Sequence, residues 1–214
     1  MGEPGTALSI SGLTDETTLL ISGPPMTGKY QLTLRLLAEA CDGVVLVTTK
    51  NRGSRVAADY RALAGTVPPD RIGIIDCVSH PDRAGGEEHG GPVKYVQSPG
   101  NLTRIGVAFT ELLDQYAETA GPNNMGLGIH SLSQIMMHTD VKRLYQFLQV
   151  LTGQIRNAGW MGVAVIDDSV ADEGDLSLLH HHFDGVVNTR ENEAGDREFR
   201  VKGLTPSTSE WRRF

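Results

Sequence analysis

Cysteine is scarce in this chain: two in 214 residues, Cys41 and Cys77. A pair with no metal-ligand spacing gives neither a disulfide framework nor a zinc knuckle, and the flanking apolar runs predict buried, reduced thiols. Excess positive charge is also missing. Lys and Arg total 19 against 26 Asp and Glu, a formal net charge of -7. That balance disfavours sequence-independent nucleic-acid binding, which needs clustered cations, and no basic patch is interleaved with aromatics. Residues 1–12 lack the basic start and apolar core of a secretory signal. No apolar run approaches the roughly 20 residues needed to span a bilayer. These absences predict a soluble cytoplasmic protein with no membrane partner. No Ser-His-Asp spacing and no nucleophile elbow are present.

What is present is ordinary globular composition, 39% hydrophobic and 21% charged, enough for one α/β domain over residues 1–214. Apolar runs alternate with helical patterns, the signature of βαβ units and a parallel sheet. Strands are predicted at 18–22, 44–49, 72–78, 125–132 and 163–166, and helices at 29–41, 55–64, 102–119 and 140–157. The helix over 102–119 carries Leu102, Ile105, Phe109, Leu112 and Tyr116 on one stripe, and that over 140–157 carries Val141, Leu144, Leu148, Leu151 and Ile155. Asp140 is placed to cap the latter, and Gly159 to end it. Residues 80–92, with four glycines, read as a loop, and Gly121-Pro122 ends the third helix. Residues 185–189 and 198–201 flank a polar turn and predict an antiparallel hairpin added to the sheet.

The strongest motif is Gly23-Pro24-Pro25-Met26-Thr27-Gly28-Lys29. It fits G-x-x-x-x-G-K and lies between a strand and a helix, as the mechanism requires. Such a loop turns its amides toward phosphate oxygens, Gly28 allows close approach, Lys29 supplies charge, and the helix start faces the anion. The eighth position is Tyr30, where a Ser or Thr hydroxyl would hold Mg²⁺. A neutral phenol, far from the backbone, does not fill that place.

Further along stand Gln97-Ser98-Pro99-Gly100-Asn101-Leu102-Thr103, His130-Ser131-Leu132-Ser133, Phe183-Asp184-Gly185-Val186-Val187 and Arg200-Val201-Lys202-Gly203-Leu204. In these segments and in Gly23–Lys29 the chain resembles the KaiC-like branch of the RecA superfamily of P-loop ATPases, especially its short single-domain archaeal members. The resemblance covers nearly the whole length. It implies a RecA-like three-layer fold with a mostly parallel sheet, ATP or ADP as ligand, and a homo-oligomer or a related RecA-like partner. It also implies that Arg200 and Lys202 reach a neighbouring subunit's γ-phosphate. Charge on an exposed edge strand is the other reading of that pair.

Three positions depart from the family. Its Walker B Asp is replaced by His130, its water-polarising acids after the second strand by Thr48-Thr49-Lys50-Asn51, and its metal-binding hydroxyl by Tyr30. Imidazole does not supply the oxygen ligand that Mg²⁺ prefers, and Lys50 cannot accept a proton from water. The expectation is therefore a nucleotide-binding domain with degenerate catalytic positions, regulatory or scaffolding, holding no metal of its own. A slow Mg²⁺-dependent ATPase, with metal near Thr27, Asp167 or Asp168, is one alternative. A structural interaction module that binds no nucleotide is another. The leading expectation requires that no carboxylate stand beside Lys29 in position to coordinate the metal ion.

Asp167-Asp168 and the following Asp172, Glu173 and Asp175 read as a solvated acidic loop, although a place at a strand's carboxyl end also allows a polar role near phosphate. His180-His181-His182 point in different directions and read as exposed imidazoles, not metal ligands. Trp160 and Trp211 read as packing anchors, and Met136-Met137 as core or interface filler.

Overall fold

The computed structural model describes residues 8, 10, 13–79, 90–118, 124–170, 172–205 and 210–214. Residues 80–89 of the predicted 80–92 loop and the Gly121-Pro122 helix stop lie outside these residues. In chain order the elements are β1 (Thr18–Gly23), α1 (Lys29–Ala40), β2 (Gly43–Thr48), α2 (Gly53–Ala64), β3 (Ile72–Asp76), β4 (Val93–Tyr95) and α3 (Leu102–Glu118). Then follow β5 (Met125–His130), α4 (Leu132–Met136), α5 (Val141–Asn157), β6 (Met161–Asp167), α6 (Glu173–His180), β7 (Gly185–Glu191), β8 (Arg197–Lys202) and β9 (Arg212–Arg213).

The strands form one sheet in the order β4-β3-β2-β5-β6-β1-β7-β8-β9. Pairs from β4 to β7 are parallel, and β8 and β9 add on antiparallel. β1 is therefore interior, between β6 and β7, and every residue in it is buried. A strand of consecutive apolar residues is stable only there, because its side chains alternate between two faces and both must be covered.

The alternation sorts the core into two layers. Leu19 and Ile21 join Leu32 and Leu36 of α1 and Val56 and Tyr60 of α2 on one face. Leu20 joins Phe109 and Leu112 of α3 and Leu148 and Leu151 of α5 on the other. Connections that run outward from β1 to β4 place their helices on the first face. Those that run back from β4 to β6 place theirs on the second, as right-handed crossovers require. The predicted stripes are the ones buried: Ile105, Phe109, Leu112 and Tyr116 on α3, and Leu144, Leu148, Leu151 and Ile155 on α5. Asp140 caps α5 by accepting from the Arg143 amide.

The structure departs from the sequence expectation in the short elements. β4 has three residues and β9 two, too short for an alternation to register. The stretch read as an acidic loop instead starts α6. Asp172 accepts the Asp175 amide at 2.8 Å, and Glu173 and Asp175 sit in the first turn, where negative charge favours a helix. His182 is not an exposed imidazole. It is buried, with its ring 4.1 Å from the Tyr145 ring.

Two carboxylates fix opposite ends of the sheet. At the amino end, Asp184 accepts the Thr18 amide at 2.8 Å and its hydroxyl at 2.6 Å, and pairs with Arg156 at 3.1 Å. Burial opposes its charge, but the Thr18 bonds and Arg156 prevail and hold its carboxyl below the usual range. At the carboxyl end of β3, buried Asp76 accepts the amides of Gly53 at 2.7 Å and of Val78 and Ser79 at 2.8 Å. It thereby starts α2 and turns the chain after β3. Asp76→Asn turns one acceptor oxygen into a donor facing an amide. It should cost about 2–3 kcal/mol in chemical denaturation and speed amide exchange at Gly53. A variant as stable as the parent would remove this role for Asp76.

Candidate functional site

β1 runs directly into the glycine-rich turn, and the turn into α1. Its backbone demands glycine at two places for different reasons. Gly28 holds φ at +80°, and a Cβ there would lie 2.8 Å from Arg197 Cδ and 3.1 Å from the Phe214 ring. A Cβ on Gly23 would lie 2.4 Å from both the Thr189 carbonyl and its hydroxyl. Met26 also sits at positive φ, +68°, with its side chain exposed. That conformation costs a non-glycine residue roughly 1–2 kcal/mol. The Thr27 hydroxyl donates to the Pro24 carbonyl at 2.9 Å and lies 2.6 Å from the Thr189 hydroxyl, so β7 braces the turn from the side.

Lys29 begins α1 and is buried. Its ammonium donates to the Gly23 carbonyl at 2.7 Å and to the Pro24 carbonyl, and meets Asp167 Oδ1 at 2.7 Å. An ammonium has three N–H donors, and these three acceptors use them all. The carboxylate comes from the end of β6, next to β1 in the sheet. The Asp167 amide donates to Ser133 Oγ at 2.8 Å, and the Asp168 amide to the Gly23 carbonyl at 3.2 Å. A carboxylate therefore does stand beside Lys29, on the ammonium itself. Sequence spacing cannot report it, because Lys29 and Asp167 are brought together by the β1–β6 register, which pairs Gly23 with Asp167.

The three positions that depart from the resembled family converge on one place. Tyr30 and His130 meet in a tilted ring contact, with centroids 4.7 Å apart and planes at 52°. The Tyr30 hydroxyl donates to Asp59 Oδ2 at 3.0 Å, tying α1 to α2, and Asp59 also pairs with Arg55 at 2.9 Å. Burial, then the Asp59 carboxylate, push the phenol's pKa up. His130 ends β5. Burial and then the Lys50 charge hold its imidazole down to about 4, Lys29 acting the same way and Asp167 against it. His130 is therefore a neutral ring, with Nδ1 sealed from solvent and unpartnered. Lys50 is exposed just beyond β2, whose last residue, Thr48, lies beside His130.

This arrangement suits an anion better than a metal ion. The first turn of α1 has no acidic residue and no side-chain cap, so its amides face no competing acceptor from their own helix. The Tyr30 and His130 rings offer no carboxylate there, and the Thr27 hydroxyl is already engaged. Among the described residues no group of three His, Cys, Asp or Glu side chains is placed to hold a metal ion.

Arg200 and Lys202 share a face of β8, as alternation predicts, but lie back along the sheet from the turn. Arg200 stands opposite Asn188 and Lys202 opposite Val186. The Arg200 guanidinium sits 4.6 Å from the Trp211 ring centroid, with Arg190 at 4.1 Å from the same ring. It is Arg197, three residues earlier, that covers Gly28 and reaches Gln31 at 2.8 Å. A separate groove of about 1200 Å³ opens between α3 and α5, lined by Gly106, Val107, Phe147 and Val150. It shares no residue with the turn.

Because His130 is held neutral, folding loses stability as pH falls from its ordinary 6.5 toward about 4, when only the unfolded chain binds the proton. That loss should run at roughly 1 kcal/mol per pH unit. His130→Gln should remove this part of the acid sensitivity, read as the difference between the two chains' stability–pH profiles. Parallel profiles from pH 7 to 4 would contradict a neutral His130.

Among the described residues no helix is long and apolar enough to cross a membrane. No curated protein matches the chain. A family model described as a family of unknown function, DUF7504, matches residues 17–189, from the start of β1 into β7. The match takes in the turn, Asp167, Tyr30 and His130 and stops short of Arg200 and Lys202, and the chain belongs to the DUF7504 family.

Proposed function

We propose that this chain is a RecA-type, KaiC-like P-loop domain. It binds ATP or ADP on Gly23–Lys29, with little or no hydrolysis, and uses the bound nucleotide to stabilise one conformation or assembly. The observation that carries the proposal is the Lys29 ammonium, aligned on the Gly23 and Pro24 carbonyls at the mouth of a turn fed by an interior parallel strand. A ligand in an open α/β sheet binds at the carboxyl ends of its strands, where this turn lies. The neutral His130 ring and the Tyr30 phenol account for the missing hydrolysis, because phosphoryl transfer needs a cation bridging the phosphates and a group that orients water. The loop's amides and Lys29 need neither.

Arg200 and Lys202 then serve a neighbouring copy's phosphates or a related RecA-like partner, since they stand back from the chain's own turn. The partner is a nucleotide and a protein in the cytoplasm, not nucleic acid and not a membrane. One observation favours the slow Mg²⁺-dependent ATPase as the second reading: Asp167 brings a carboxylate to Lys29.

A thermal-shift panel of ATP, ADP and GTP, with and without Mg²⁺, tests the proposal. ATP at a hundred times its dissociation constant should add about 2.7 kcal/mol of stability. Mg²⁺ should change this little, and Lys29→Ala should abolish it. No shift with any nucleotide would leave the structural-module reading standing. Robust Mg²⁺-dependent turnover, lost in Lys29→Ala, would favour the ATPase. The double variant Tyr30→Ser with His130→Asp should make ATP affinity rise with Mg²⁺. It should still turn over poorly, because Thr48-Thr49-Lys50-Asn51 supplies no carboxylate to orient water. A double variant whose ATP affinity ignores Mg²⁺ would separate these two rings from the loss of metal binding.

A further inference from the structure

Asp167 stands where an incoming phosphate would meet Lys29. Two of the three Lys29 donors rest on backbone carbonyls of the turn itself. The third is held by a side chain that differs in kind. Lys29 is 5% exposed, whereas the Asp167 side chain is 32% exposed. The Asp167 backbone is pinned through Ser133 and, one residue on, through Gly23, so rotation of the side chain alone suffices to free the ammonium. His130, the next polar group, is a neutral ring and offers no charge to take Asp167's place.

We propose that Asp167 is a built-in stand-in for phosphate. Its carboxylate occupies the third Lys29 donor, an incoming phosphate must displace it, and Asp167 thus sets the affinity and selectivity of the turn. This rests on the nucleotide-binding reading above. A phosphate oxygen on Lys29 with Asp167 still in place would set two anions a few ångströms apart on one ammonium, whose single charge cannot neutralise both. A bridging cation would relieve that repulsion, but Tyr30 and His130 fill the neighbouring space with rings. Competition for a single donor follows. Weak anions that offer only one contact leave Asp167 in place. A polyphosphate chain, which gains the amides of the turn as well, displaces it.

The test is calorimetric titration of metal-free ATP and of inorganic tripolyphosphate into the full chain, Asp167→Asn and Asp167→Ser, with Lys29→Ala as the control for the turn. Folding of each variant is checked by circular dichroism. Both Asp167 variants should bind both ligands tighter by about tenfold or more, the size expected when one nearby like charge is removed. Tightening is the decisive sign, because a residue that merely supports the turn loosens binding when replaced. Folded variants that bind equally or more weakly overturn the proposal. So does a loss confined to Mg²⁺-ATP, which would make Asp167 a metal ligand. In the unmutated chain, the Asp167 carboxyl carbon resonance should move when tripolyphosphate is added, and a resonance that stays still under saturating ligand overturns the proposal without any variant. Binding by the unmutated chain with unresponsive variants removes only this role. Binding by none of the chains removes the nucleotide reading together with it.

Discussion

The chain's candidate site depends on how one buried ammonium is satisfied. Lys29 is carried into the interior by the start of α1, where an unpaired charge would be prohibitive. It is held by the carbonyls of Gly23 and Pro24 and by Asp167. The carbonyls belong to the turn, so the ammonium and the turn shape each other. The carboxylate belongs to a different strand, so the turn is also stitched to β6. Gly23, with no room for a side chain against Thr189, and Gly28, at positive φ beneath Arg197 and Phe214, are what let the backbone close around this charge.

The remaining polar groups of the site are arranged around that ammonium. Lys50 and Lys29 both act to keep His130 neutral. Tyr30, turned toward Asp59, spends its hydroxyl on α2 and presents a ring to His130. A site built from one ammonium paired with Asp167, the amides that start α1 and two rings gives a divalent ion few oxygens. This is the physical basis for proposing phosphate binding separated from phosphate chemistry.

Much of the fold was legible because its signals are local and repeated. Consecutive apolar residues in β1, β2 and β6 announce strands covered on both faces, and the three-and-four spacing in α3 and α5 announces their buried stripes. Asp140 before α5 and the polar turn between β7 and β8 are local chemistry read correctly. What failed was either short or misleading in composition. β4 and β9 are too brief for a period to appear. The acidic run around Asp172 resembles a solvated loop, yet its first carboxylate caps α6 and the next ones suit the helix start. His182 lies in a polar triplet and is buried, with α5 bringing Tyr145 and Arg156 against it.

The sequence by itself determined the turn, its lysine, and the presence of His130 and Tyr30 at their places after a strand and after the turn, because each is written in a contiguous segment whose chemistry does not depend on partners. Only the tertiary structure decided that Asp167 faces Lys29, that Thr189 braces Thr27, that the Tyr30 and His130 rings meet, and that Arg197 rather than Arg200 covers Gly28. These are contacts between strands far apart in the chain. They are set by the order and register of the sheet, and in a parallel sheet that order emerges from how helices pack on its two faces, which no local spacing encodes.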